Sequence, residues 1–226
     1  MTSGPFAPPF VYPILDAQAL RGRSLGAAVR TVAAAGARVV QVRAKTMADR
    51  IMLELVEEAL IAARAAGVAL LVNDRADVAR LAGADGVHVG QDDLAPAAAR
   101  ILIGPAAIVG LSTHTEPQID AALVQPVTYI AVGPIFGTST KATGYTAVAL
   151  DRVRYAAARI GREAEAKKGH ERIGLVAIGG ITLDRAAEVI AAGATAVAVI
   201  TDLLASGNPE DRVRAYLARL SERGKV

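Results

Sequence analysis

The chain contains no cysteine and no tryptophan, and aromatic residues fill only 4% of its 226 positions. Without thiols there is no disulfide framework, no thiolate metal site and no cysteine nucleophile, so a bound metal has only oxygen and imidazole ligands to draw on. Oxygen ligands point to Mg²⁺ before Zn²⁺. So few rings leave no base-stacking platform. Charge of one sign is also lacking: 25 basic against 22 acidic residues give +3, without a long Lys/Arg run, so no nucleic-acid partner is expected. Long apolar runs are missing as well. The alanine-rich segments at 29–37 and 59–66 are broken by charged residues or glycine well before about 18 apolar residues accumulate, so no membrane span is expected. Residues 1–9 are small, Pro-rich and uncharged, unlike a secretory signal. They read as a disordered leader over 1–10, with one catalytic domain over 11–226 and the cytoplasm as its compartment.

What the sequence does have is rhythm. Hydrophobic content is 53%, enough for one large core, and short β-branched runs alternate with longer helical ones. Strands are predicted near 11–15, 38–42, 69–72, 86–89, 107–110, 128–132, 175–178 and 196–200, with helices near 24–35, 47–65, 76–81, 95–103, 116–123, 147–160, 183–191 and 210–219. Ala35-Gly36-Ala37, Ala82-Gly83-Ala84 and Ala192-Gly193-Ala194 each stand just before a strand, and Gly67 serves as a further helix stop. A joint repeated in this way, with eight units in this length, predicts an α/β fold of the (β/α)8 TIM-barrel type; an open doubly wound sheet is the alternative. The polar segment 161–172 breaks the rhythm and is expected to be a mobile loop away from the chemistry.

In such a barrel the active site gathers at the C-terminal ends of the strands. The second strand closes with Gln41, Arg43 and Lys45 at period two, which turns all three to one side while Val40 and Val42 face the helices. A solvated antiparallel strand shows the same alternation. The third strand ends in Asn73-Asp74 and the fourth runs into Gly90-Gln91-Asp92-Asp93. Helix capping explains either acid cheaply. Adjacent barrel strands would instead set Asp74 beside Asp93, opposite the basic cluster, where a divalent cation and a pyrophosphate balance both charge sets. Ser112, at the end of the fifth strand, lacks a nucleophile elbow and reads as a hydrogen-bond donor to ligand. His114 suits helix entry or ring stacking, His88 packing inside its strand, and His170 solvent.

The segment Gly133-Pro134-Ile135-Phe136-Gly137-Thr138-Ser139-Thr140-Lys141 follows a β-branched run and groups hydroxyls and an ammonium around glycines, which suits an anion. Ile178-Gly179-Gly180-Ile181-Thr182 and Ile200-Thr201-Asp202 close the last two strands, where barrels commonly hold a phosphate on glycine N–H groups and a helix N-terminus.

With these motifs in order, the chain resembles the thiamine-phosphate synthase family from Tyr12-Pro13-Ile14-Leu15-Asp16 to Ile200-Thr201. The resemblance rests on Gln41-Val42-Arg43-Ala44-Lys45, Asn73-Asp74, Gly86-Val87-His88-Val89-Gly90-Gln91-Asp92-Asp93, Gly110-Leu111-Ser112-Thr113-His114, the segment from Gly133 to Lys141, and Ile178-Gly179-Gly180-Ile181. It implies a transferase that joins hydroxymethylpyrimidine pyrophosphate to a thiazole phosphate, giving thiamine phosphate and pyrophosphate. Position by position, it implies that Gln41, Arg43, Lys45, Asn73, Ser112 and Lys141 hold the pyrimidine pyrophosphate. Arg43, Lys45, Ser112 and Lys141 would be catalytic, and Asp74 and Asp93 would ligate Mg²⁺. Thr138, Ser139, Thr140, Gly180, Ile200 and Thr201 would bind the thiazole phosphate. In this family the pyrimidine pyrophosphate ionises to a stabilised carbocation before the thiazole nitrogen attacks. The protein's work is then to stabilise the leaving group and position the nucleophile, which needs no strong base.

Two departures stand out: Gly137 replaces a usual proline, and Ala142-Thr143-Gly144-Tyr145 occupies a stretch where an acidic residue is frequent. Both bear on loop closure and thiazole preference. A thiazole tautomerase of the same barrel family is the nearest rival, but it has no pyrophosphate or metal to hold. A non-catalytic thiamine-phosphate sensor would keep the same pocket, and a phosphosugar isomerase would explain only the phosphate cup. Whether the chain forms a homo-oligomer is left open.

Overall fold

The fold is described from a computed structural model, over residues 10–20, 22–137, 147–166, 173–204 and 207–221. Eight parallel strands close into a barrel in sequence order: β1 (Phe10–Asp16), β2 (Val39–Arg43), β3 (Ala69–Asn73), β4 (Gly86–Val89), β5 (Ile108–Thr113), β6 (Tyr129–Val132), β7 (Gly174–Ile178) and β8 (Ala196–Val199). Between them run α1 (Leu25–Ala34), α2 (Asp49–Ala66), α3 (Ala76–Ala82), α4 (Pro96–Ile103), α5 (Glu116–Ala122), α6 (Ala149–Ala166) and α7 (Leu183–Ala191), with α8 (Pro209–Ser221) last. β1 pairs with both β2 and β8, which closes the ring. Residues 1–9 of the leader expected over 1–10 lie outside the described residues, whereas Phe10 belongs to β1 and is buried.

Period two along each strand produces two cores. Val40, Val42, Leu70, Val72, Val87 and Val89 pack outward against the helices. Phe10, Tyr12, Ile14, Val39, Leu71, Tyr129 and Val176 fill the barrel itself. Gly110 makes room there: a Cβ at this position would lie 2.1 Å from the Tyr129 ring, so only glycine lets that ring cross the barrel. The expected helix stops hold, with Gly36, Gly67, Gly83 and Gly193 all in the left-handed region after α1, α2, α3 and α7.

One expectation is corrected. Residues 161–166 are not a loop but the last turns of α6. Polarity had suggested a break, yet Arg162, Glu163, Ala164, Glu165 and Ala166 are all strong helix formers and carry the helix past Gly161. Residues 167–172, with His170, lie outside the described residues.

Candidate active site

A cavity opens within the barrel toward the C-terminal strand ends, lined by Gln41, Arg43, Asn73, Ser112, Ile178 and Ile200 among others, with about 360 Å³ of empty space that includes its open mouth. Four strands, β2, β3, β5 and β7, contribute to that set, plus Ile200 just beyond β8. Gln41 and Arg43 share the interior face of β2, as the alternation predicted, while Val40 and Val42 lie on the other.

Arg43 is the most telling member. Its register partner on β1 is Asp16, and the two side chains form an ion pair. Yet, among the described residues, the Arg43 Nε is buried without a hydrogen-bond partner. A buried cationic N–H left unsatisfied at a cavity wall favours an anion there, because such a group costs free energy until it is paired. Asp16 was not singled out from sequence, although a carboxylate closing a strand is the same signal that picked out Asp74.

Lys45, just past β2, reaches Asp74 with Nζ to Oδ2 at 2.9 Å. Asp74 thus contacts the basic cluster directly instead of facing it across the mouth. It has φ of +64°, and the N-cap of α3 is Arg75, so the capping explanation of Asp74 fails. The same holds for Asp93: α4 is capped at Ala95, and the Asp93 Oδ2 accepts the Gly90 N–H at 2.7 Å. Burial, followed by its interaction with Asp74, pushes the Asp93 carboxyl above the usual range despite the opposing bond from Gly90. A carboxyl whose ionisation is opposed by a neighbouring carboxylate fits a divalent cation. Among the described residues no cluster of three or more His, Asp or Glu could hold a metal, so this pair would need oxygens from substrate and water, as Mg²⁺ accepts.

Ser112 is buried on β5, with its Oγ 2.8 Å from the His88 Nε2. The loop after β4 is pinned nearby, since the Gln91 Nε2 donates to the Ser112 carbonyl at 2.6 Å. His88 is therefore not mere packing: it lines the cavity together with Tyr12 and Tyr129. His114 is elsewhere, its Nδ1 2.5 Å from the Gly133 carbonyl oxygen at the end of β6.

On the far side, the Ile135 and Phe136 N–H groups donate to the carbonyls of Ile178 and Gly179, both at 2.9 Å, so the segment after β6 continues alongside β7. Gly180 has φ of +65°, and a Cβ there would lie 2.5 Å from the Gly137 carbonyl oxygen. Only glycine permits that approach. Ile200 lines the cavity, and Thr201 opens a short 3-10 turn, Thr201–Leu203. Asp202 in this turn accepts the Leu183 N–H at 3.2 Å, so an internal carboxylate already meets the start of α7. It also accepts from Arg212 at 3.0 and 2.8 Å and from the Tyr216 hydroxyl at 2.5 Å. Thr138, Ser139, Thr140 and Lys141 lie outside the described residues.

Residues 11–203 match the family model described as thiamine monophosphate synthase. The thiamine-phosphate synthase of Roseiflexus castenholzii is 40% identical over 205 residues, which cover 91% of this chain and 85% of that protein. That of Chloroflexus aurantiacus is 40% identical over 211 residues, covering 93% and 92%. Among solved structures, a thiamine phosphate pyrophosphorylase from Pyrococcus furiosus superposes with a TM-score of 0.80 at 25% identity, covering 94% of this chain and 96% of that one. The chain belongs to the thiamine monophosphate synthase family.

Proposed function

We propose that this protein joins hydroxymethylpyrimidine pyrophosphate to a thiazole phosphate, forming the C–N bond of thiamine phosphate and releasing pyrophosphate. The observation that carries this reading is the grouping of one cation, Lys45, with two carboxylates, Asp74 and Asp93, just past β2, β3 and β4, two residues along the chain from Arg43, which lines the cavity. A phosphosugar isomerase has no use for that pairing. A pyrophosphate leaving group with its cation needs both halves of it.

The residues then divide the work. Gln41, Asn73 and Ser112, all buried along the wall, orient the pyrimidine pyrophosphate, while the Arg43 guanidinium meets its phosphoryl oxygens. Lys45 and Lys141 offset charge that grows on the pyrophosphate as the C–O bond lengthens, an interaction strongest in the transition state. Asp74 and Asp93 would hold Mg²⁺, which when bound supplies charge neutralisation to the leaving group. Thr138, Ser139, Thr140, Gly180, Ile200 and Thr201 hold the thiazole phosphate so that its ring nitrogen lies close to the developing cation. Proximity then replaces a base. These are small-molecule partners, and no helix among the described residues is long and apolar enough to cross a membrane; we assign the reaction to the cytoplasm. Incubating the purified protein with both substrates and Mg²⁺ and weighing the product by mass spectrometry tests the reading. Thiamine phosphate is expected, and no product at that mass would reject it.

A further inference from the structure

Beneath the charged rim, five polar side chains form a continuous line through the barrel. The Gln41 Nε2 donates to the Tyr12 hydroxyl oxygen at 3.0 Å, and the Tyr12 and Tyr129 hydroxyls are 3.2 Å apart. The Tyr129 hydroxyl lies 2.8 Å from the His88 Nδ1, and the His88 Nε2 lies 2.8 Å from the Ser112 Oγ. All five are buried, and they come from β2, β1, β6, β4 and β5. Burial pushes both phenols far above their ordinary range, so each keeps its proton.

A line of this kind has a direction, because each hydroxyl carries one proton to pass on. An amide nitrogen has none but donors to offer, so at its Gln41 end the line starts with a donor. The amide bears on the Tyr129 hydroxyl as well as on Tyr12, so the order is decided where Tyr129 meets His88: if the single Tyr129 proton goes to His88, Tyr12 must donate to Tyr129. A phenol donates readily and an imidazole nitrogen accepts readily, so the Tyr129 proton suits the His88 Nδ1. We infer that the line runs from Gln41 through Tyr12, Tyr129 and His88 to Ser112, so that His88 carries its ring proton on Nε2 and Ser112 offers its own proton to the cavity. In the opposite order His88 holds its proton on Nδ1, Ser112 gives its proton to His88, and substrate meets an acceptor. The inference rests on the coupling reading and deepens it: Ser112 selects an acceptor atom on the pyrimidine pyrophosphate. Tyr12, Tyr129 and His88 are positioning residues that act through it.

The test reads the proton directly. The chain has three histidines, so a ¹⁵N-histidine-labelled protein carrying His114→Gln and His170→Gln leaves His88 as the single imidazole in the NMR spectrum. Nε2 should show the shift of a protonated nitrogen and Nδ1 that of an acceptor. A proton on Nδ1 overturns the inference, whatever the activity. Tyr129→Phe should move that spectrum toward a mixture of both tautomers. It should also lower kcat/KM for pyrimidine pyrophosphate roughly tenfold, the order of one net hydrogen bond, with KM for the thiazole phosphate unmoved. An unchanged His88 spectrum in Tyr129→Phe, or equal losses toward both substrates, overturns the inference too. No coupling by the parent protein, with the proton found on Nε2, would reject the functional reading alone and leave the proton order standing.

Discussion

Asp16 and Arg43 are register partners at the C-terminal ends of β1 and β2, and the Asp16 carboxylate is fixed before it meets the guanidinium. It accepts the N–H groups of Gln18 and Ala19 at 3.0 and 3.1 Å in the turn that follows β1. The ion pair then sets the guanidinium in place and leaves its Nε buried and, among the described residues, unsatisfied. Such a donor is aligned before substrate arrives, which lowers the ordering cost of binding. Lysine would keep the charge but lose the planar fork. Arg43→Lys is therefore expected to lower kcat/KM for pyrimidine pyrophosphate by about 10- to 100-fold, the range of hydrogen bonds to charged groups. KM for the thiazole phosphate should stay put. Steady-state kinetics with each substrate varied in turn would expose an equal effect on both, which this assignment does not allow.

The carboxylate pair gives a second expectation. Neither Asp74 nor Asp93 caps its helix, so removing either charge should spare the barrel while weakening the cation site. EDTA is expected to abolish coupling and added Mg²⁺ to restore it. Asp74→Ala should cut turnover by about 100-fold or more, as for loss of one preorganised electrostatic element. Its circular dichroism spectrum should match the parent's. Full turnover in the chelated protein would remove the cation from the reaction.

At Gly180 the backbone geometry decides. Alanine there would carry a Cβ into the Gly137 carbonyl oxygen at 2.5 Å and hold φ at +65°, so the segment after β6 must move away from β7. Gly180→Ala is expected to cost about 1–3 kcal/mol, as for backbone strain at one residue. It should raise KM for the thiazole phosphate more than KM for pyrimidine pyrophosphate. Thermal melts and calorimetry with each ligand separate these effects, and a loss confined to the pyrimidine substrate would contradict the assignment.

Asp202 ties the turn after β8 to α7 and α8. Burial opposes its charge, but hydrogen bonds from Arg212 and Tyr216 outweigh that and hold the carboxyl below its ordinary range. A depressed folded value means that the unfolded chain binds the proton first. The stabilisation is therefore complete above about pH 4 and disappears as pH falls through the folded value. Asp202→Asn should cost about 1–3 kcal/mol at pH 7, the order of hydrogen bonds to a charged group. The gap between variant and parent should close on acidification. Urea unfolding at pH 7 and pH 3 measures both ends, and a gap that widens in acid would reverse the sign argued here.

What could be read from sequence follows the range of the interactions. All eight strands were legible because period two and the glycine joints are local, and Gln41 with Arg43 emerged because they share one face of one strand. Asp74 and Asp93 were ambiguous for a physical reason: a capping carboxylate and a site carboxylate look alike until the helix start is known, and α3 and α4 begin too late for either to cap. The Tyr12–Tyr129 contact spans 117 residues and exists only because the barrel closes, so no local pattern announced it. His88 looked like a core residue for the same reason: its partners, on β5 and β6, come from later in the chain. The end of α6 was misread because charge was taken for a break where helix propensity should have decided.

The last prediction separates coupling from tautomerisation. A tautomerase needs an imidazole that reaches the thiazole and carries protons to and from it. Here the His114 Nδ1 lies 2.5 Å from the Gly133 carbonyl oxygen, and its backbone N–H donates to the Gln118 Oε1 at 2.8 Å, so the residue serves the junction between β5, α5 and β6. Lys141 has the opposite expected profile, since in the proposed coupling it would offset charge on departing pyrophosphate, a task that an isomerisation lacks. Lys141→Ala should therefore lose about 100-fold or more in coupling turnover, and His114→Ala only a few-fold, about 1 kcal/mol for one lost hydrogen bond. Both variants should be measured on the coupling reaction and on an isomeric thiazole phosphate. A large His114 effect confined to isomerisation, in a parent protein that does not couple, would reassign the chain to the tautomerases.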